Sequence, residues 1–183
     1  MTEETRTFIN NWETKLSEIS GDDLASTYDK FNTLYTISNR LQREVFVKLQ
    51  NKGVLTKARY SDYEKATSLI IEYLESQTII DRLLMENNTT DIEQISDLIR
   101  NKVFNINLAD GVPQEEKDEQ LAENLINVDN GIKSKAVLSV IYNVRCNMVH
   151  GHKDFENYQS LLVVPLSNIL NTINNLLKEK LSE

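Results

Sequence analysis

The chain reads as an all-α protein, an antiparallel bundle of four to six helices in one domain spanning residues 1–183. Three observations predict this. Apolar residues recur at helical spacing along several long stretches. Only 5 Gly and 2 Pro punctuate the sequence, too few turn formers for the many connections of an all-β or doubly wound fold. A length of 183 residues is enough to bury one contiguous core.

Taken in order, Phe8, Trp12, Leu16 and Ile19 mark a short amphipathic helix over 3–19, and Ser20-Gly21-Asp22 ends it. From Asp23 to about Asn51 the positions Leu24, Tyr28, Phe31, Leu34, Tyr35, Ile37, Leu41, Val45 and Leu49 keep one apolar stripe, predicting a long helix. Asn51-Lys52-Gly53 is its stop, with Gly53 available for a left-handed cap. Ser61 followed by Glu64 reads as a capping box that opens a second long helix, through Tyr63, Ile70, Leu74, Ile80, Leu83 and Leu84 to Asn87-Asn88. A shorter helix is expected over 92–103 and a loop over 105–113. Pro113 suits the first turn of an acidic helix over 114–127, which is weakly apolar and therefore expected on the surface and mobile. After the turn Asp129-Asn130-Gly131, a broad apolar stripe from Ile132 to Val149 predicts a helix ending at His150-Gly151, and the last helix is expected from about Phe155 to Leu181, with Pro165 inside it.

Composition narrows the function classes. The N-terminus Met1-Thr-Glu-Glu-Thr-Arg6 carries no basic stretch followed by an apolar one, so a cytoplasmic protein is expected. The longest apolar runs, such as Leu161 to Val164, fall short of the ~20 residues of a spanning helix, so no membrane association is expected. Cys146 is the single cysteine, which excludes an internal disulfide. The net charge of -8 argues against a general nucleic-acid binder. Charge is nevertheless unevenly spread. Residues 131–153 hold Lys133, Lys135, Arg145, Lys153 and both histidines with no Asp or Glu, while residues 110–129 hold seven carboxylates against Lys117. A shielding of the basic stretch by the acidic helix is one expectation that follows.

The segment that stands out is Tyr142-Asn-Val-Arg145-Cys-Asn147-Met-Val-His150-Gly-His152-Lys153, which brings polar groups to the end of an apolar helix. Burying an Arg and a His there carries a desolvation cost, so their ends are expected to reach a cleft or a partner. Five residues of helix turn the chain by about 140 degrees and advance it ~7.5 Å, so Arg145 and His150 do not share one face of a straight helix. Either the helix ends at His150 or a second subunit completes the site. Cys146, His150 and His152 offer three metal donors but no fourth, so no metal site is expected.

Arg145 and His150, separated by four residues, match the Arg-x4-His motif, and the wording Arg-Cys-Asn-x-x-His-Gly-x-Lys resembles that of HEPN proteins of bacterial defence and abortive-infection settings. The stretch Tyr28-Asp-Lys-Phe31-x-x-Leu34-Tyr35-x-x-x-Asn39 is similar to the pattern upstream in such proteins. The resemblance implies a helical homodimer whose two motifs face one cleft on the two-fold axis. It also implies a metal-independent RNase, free of cofactors, that cleaves RNA by attack of the ribose 2′-hydroxyl on its own phosphate. In that chemistry His150 is the general acid or base, Arg145 clamps the phosphate, Asn147 orients the phosphate or the histidine, and Asn39, His152 and Lys153 hold substrate. An antitoxin or nucleotidyltransferase partner is a further implication. Two departures stand out: Cys146 occupies a position where many members carry a polar residue, and His152 stands where one subgroup carries a tyrosine. The alternative reading is a catalytically inactive helical dimer that serves as a binding or adaptor module.

Overall fold

Capping chemistry sets the helix boundaries in the first half of the chain. The computed structural model describes residues 1–149 and 156–183. Helix α1 (Glu3–Glu18) begins where the Thr2 hydroxyl accepts from the Thr5 amide, and α2 (Leu24–Asn51) where the Asp23 carboxylate accepts from the Ser26 amide. Helix α2 stops at Gly53, whose φ of 68° supplies the left-handed turn expected there.

The expected second long helix is broken in three. The predicted capping box of Ser61 and Glu64 is present and opens α3 (Asp62–Ala66), followed by α4 (Ser68–Leu74) and α5 (Ser76–Met85). One break is at Thr67, where φ is -121° and the hydroxyl donates to the Tyr63 carbonyl at 2.7 Å. The other is at Glu75, which sits at φ 68° and ψ 138°. The breaks turn the path so that α3 and α4 pack on α2 while α5 reaches α8 and α9. Leu84, expected in the core, is 63% exposed as a result. Among the described residues there are thus nine α-helical segments, not four to six helices, although the all-α bundle stands.

Helix α6 (Thr89–Arg100) starts and ends three residues before its expected bounds. The connection that follows is not an open loop. It forms a two-residue hairpin, β1 (Leu108–Ala109) with β2 (Val112–Pro113), turned by Asp110 at φ 50° and Gly111 at φ 80°, the paired positive angles of a type I′ turn. Pro113 therefore belongs to this hairpin, and α7 (Glu115–Leu125) begins after Gln114.

Helix α7 corrects a further expectation, since it is packed rather than exposed and mobile. It buries Asp118, Leu121, Ala122 and Leu125 against α6 and α8. The Asp118 carboxylate, 5% exposed, accepts from the Ile106 amide at 3.1 Å, the Asn107 amide at 2.8 Å and the Asn107 side chain at 2.8 Å. These charge-assisted bonds tie segment 104–107 to the helix.

Helix α8 (Asn130–Val149) is apolar on most sides because α3, α5 and α7 all pack against it. Its expected end at His150-Gly151, and the expected start of the last helix at Phe155, lie outside the described residues. A short 3-10 turn (Asn157–Gln159) leads into α9 (Ser160–Ser182). Pro165 lies inside α9 and cannot donate to the Leu161 carbonyl. The Gln94 side chain of α6 donates to that carbonyl instead, at 3.0 Å, which is how the bundle tolerates the proline.

Helix α9 is long and apolar enough to cross a membrane by length and composition, but 67% of its most apolar window is buried inside the bundle. It is the core helix of the fold. It lies along α2, with the Asn174 side chain donating to the Leu34 carbonyl at 2.9 Å and Lys48 donating to the Leu181 carbonyl at 3.1 Å. One apolar cluster runs from Ile9 through α2, α5, α6 and α8 to Leu181.

Candidate functional site

Helix α2 carries a polar face beside its apolar stripe. Asn39, Gln42, Arg43 and Phe46 follow Tyr35 at steps of three and four, so they line up along one side. Helix α8 offers Tyr142 and Arg145, also three apart. Segment 58–65, at the entry to α3, closes the third side with Arg59, Tyr60, Asp62 and Lys65. Together these residues enclose an open cleft of about 660 Å³.

Arg145 is the centre of this cleft. Its guanidinium carbon lies 5.3 Å from the centroid of the Tyr35 ring, a cation–π arrangement. Among the described residues its guanidinium has no hydrogen-bond or ion-pair partner, and such a planar fork of donors matches the geometry of a phosphate. Tyr35 is 5% exposed, and burial pushes its phenol above the ordinary range, against the opposing pull of the Arg145 charge. Tyr142 stands edge-on to Tyr63, with centroids 5.4 Å apart. Burial, with a hydrogen bond to Cys146 as the next cause, pushes the Tyr142 phenol up to about 12. Both phenols are neutral at neutral pH, so neither adds negative charge to the cleft.

Among the described residues the lining carries four cationic side chains, Arg43, Arg59, Lys65 and Arg145, against the single carboxylate of Asp62. Lys65 and Asp62 pair with each other at 3.1 Å, whereas Arg43 and Arg59, like Arg145, have no acidic partner among the described residues. A protein with 28 acidic and 20 basic residues thus presents one cleft of the opposite sign. Low-dielectric walls around such a cluster concentrate its field on an incoming anion.

The structure brings together two of the six residues singled out from the sequence. Asn39 and Arg145, far apart in the chain, line the same cleft from facing helices. Asn147 points elsewhere. Two residues of helix turn a side chain by about 200 degrees, and the Asn147 amide is 6% exposed and donates to the Ile106 carbonyl at 2.9 Å. It lines a small apolar cavity with Tyr28, Phe104 and Leu162. His150, His152 and Lys153 lie outside the described residues.

Within the basic stretch, Lys135 and Arg145 do not share one face. Lys135 lines a separate groove with Lys117 and Asn143, on the far side of Tyr63. None of the residues lining the Arg145 cleft comes from α7, so the expected shielding by the acidic helix has no counterpart there. Arg43 and Arg59 were not singled out from the sequence. Arg43 had a signal, its position one turn after Asn39 on the same face of α2. Arg59 had none, because a loop residue carries no periodicity.

No family model, no curated protein and no solved structure matches this chain.

Proposed function

We propose that this chain is a metal-independent endoribonuclease of the HEPN type, cleaving RNA at a cleft completed by a second copy of the chain. The observation that carries the reading is Arg145. An arginine with no acidic partner among the described residues, held by Tyr35 in a cationic cleft of an acidic protein, is suited to bind a phosphate. The same residue opens the Arg-x4-His motif.

In this chemistry the ribose 2′-oxygen bonds to the adjacent phosphorus and the bond from phosphorus to the 5′-oxygen breaks. One base takes the 2′-hydroxyl proton and one acid gives a proton to the leaving 5′-oxygen. His150, with an unperturbed pKa near ~6.5, holds or releases a proton at neutral pH and fills one of these roles. Arg145 neutralises the charge that grows on the non-bridging oxygens. Asn39 offers an amide at the opposite wall of the cleft.

A dimer is supported by exposed apolar side chains at the motif end of the bundle. Val149 is 58% exposed, Leu161 48%, Val164 48% and Tyr158 43%. The end of α8 and the start of α9 meet at the cavity shared by Met148, Gln159 and Leu162. An apolar surface placed there brings two motifs near each other when two copies join.

The test is incubation of wild type, Arg145→Ala and His150→Ala with RNA in the presence of EDTA, followed by mapping of the product ends. Wild type is expected to leave 2′,3′-cyclic phosphate and 5′-hydroxyl ends. Arg145→Ala is expected to lose ~10²–10³-fold in rate, by analogy with removal of one charge-stabilising donor. Its stability should fall only by the ~0.5–1 kcal/mol of a cation–π contact. Cleavage that stops with EDTA, or RNA bound but never cut, would move the chain to another mechanism or to the binding-module class.

A further inference from the structure

The cleft extends well beyond Arg145, and its outer end has a composition of its own. Arg43 lies two turns along α2 from Tyr35, a rise of about 12 Å. Arg59 faces it from the segment before α3. The same cleft is lined by Phe46 and Tyr60, with ring centroids 6.2 Å apart and planes at 73°. Tyr60 is held in place by its hydroxyl, which accepts from the Thr56 amide at 3.0 Å and the Lys57 amide at 3.2 Å. Both rings are only half-buried. The ammonium of Lys65, paired with Asp62, lies 5.9 Å from the Phe46 ring, and that of Lys57, paired with Glu64, lies 5.8 Å from the Tyr60 ring, so the unpaired charge of this end comes from the two arginines.

Arginines alternating with partly open aromatic rings form the pattern that binds single-stranded nucleic acid. The charges follow the backbone, and the rings receive bases that a duplex keeps stacked inside. We propose that Arg43, Arg59, Phe46 and Tyr60 form a binding subsite for single-stranded RNA, which holds the strand a few phosphates away from the bond addressed by Arg145. The identity of the ligand rests on the ribonuclease reading. The subsite explains why two arginines of α2 and segment 58–65 stay without acidic partners among the described residues, on a surface rich in carboxylates. It also makes substrate length matter, since a dinucleotide reaches Arg145 without reaching Arg43.

The experiment measures binding apart from cleavage. A short, labelled, fully 2′-O-methylated RNA, which lacks the attacking hydroxyl, is titrated with the full chain and followed by fluorescence anisotropy at several salt concentrations. Wild type is compared with the double variant Arg43→Ala/Arg59→Ala and with Lys133→Ala/Lys135→Ala, which removes two charges outside the cleft. Loss of two phosphate contacts is expected to make the slope of log K against log salt shallower by about 1.4, and to weaken binding roughly 25-fold at about 0.1 M salt. The control pair should leave the slope unchanged. Equal binding by wild type and the cleft variant, equal loss in the control, or duplex RNA held as tightly as the single strand would each overturn the subsite. Arg43 and Arg59 are exposed, so an unchanged Tm verifies that the variant is folded. Wild type that binds through these arginines yet leaves unmodified RNA intact would sink the ribonuclease reading and keep the subsite. Cleavage with undiminished binding in the double variant would do the reverse.

Discussion

At the scale of single residues, Arg145 and Asn147 show how neighbours in one motif come to do different work. A helix turns each residue by about 100 degrees, so Arg145 faces the cleft while Asn147 faces segment 104–107. The Asn147 amide joins the Ile106 carbonyl on one side, and Asp118 takes the Ile106 and Asn107 amides on the other. The segment is thereby pinned between α7 and α8. Asn147→Ala leaves a buried carbonyl without its donor, at a cost of about 2 kcal/mol. For a domain of this size that lowers Tm by roughly 4–8 °C. The folded fraction is expected to keep its cleavage rate, measured well below the transition, whereas a rate collapse at unchanged Tm would place Asn147 in the chemistry. The motif made Arg145, Asn147 and His150 legible in the sequence as a group. What it left hidden was the division of labour, because the partner of Asn147 is a backbone carbonyl far away in the chain.

At the scale of elements, the caps were legible and the breaks were not. Asp23, Ser61 and Gly53 act through side chains or backbone angles within a few residues, and a local signal is all that such a cap requires. The interruptions at Thr67 and Glu75 follow from packing instead. The apolar spacing through Ala66, Ile70, Tyr73, Ile80 and Leu83 continues across both, and only the positions of α2, α8 and α9 oblige the chain to turn. Arg43 belongs to the same lesson, since its helical face was readable although the wall it faces was not. Glu75 holds φ 68° and ψ 138°, a region in which glycine is at ease and other residues are strained by ~1–3 kcal/mol. Its side chain is exposed, so little is lost with it. Glu75→Gly relieves that strain and returns ~0.5–1 kcal/mol in chain entropy. A net gain of about 1 kcal/mol is expected, raising Tm by roughly 2–4 °C. A lower Tm in a thermal melt would show that the Glu75 side chain contributes more than its exposed position implies.

At the scale of the whole molecule, charge and apolar surface are separated in a way that suits assembly. The Arg145 cleft opens between α2, α8 and segment 58–65. The exposed Val149 ends α8, and the exposed Tyr158, Leu161 and Val164 lie at and just before the start of α9. Pairing through that end covers apolar side chains, which is favourable at ~25 cal/mol per Å², and it leaves the outer, arginine-lined end of each cleft open to a strand. In the proposed symmetric dimer each Arg145 is expected to stand near the corresponding segment of the other copy. Five residues of ideal helix span about 140 degrees, so in the proposed dimer the arginine of one copy is expected to work with the histidine of the other on one phosphate. Arg145→Ala and His150→Ala, mixed and allowed to exchange subunits, are expected to regain cleavage that neither shows alone, because a mixed dimer retains one intact arginine and one intact histidine. Size-exclusion chromatography with light scattering on the same samples establishes whether the exchanging species is a dimer. A dimer that exchanges freely and stays inactive would place the whole site within one copy, whereas a monomer that cleaves RNA would remove the second copy from the mechanism.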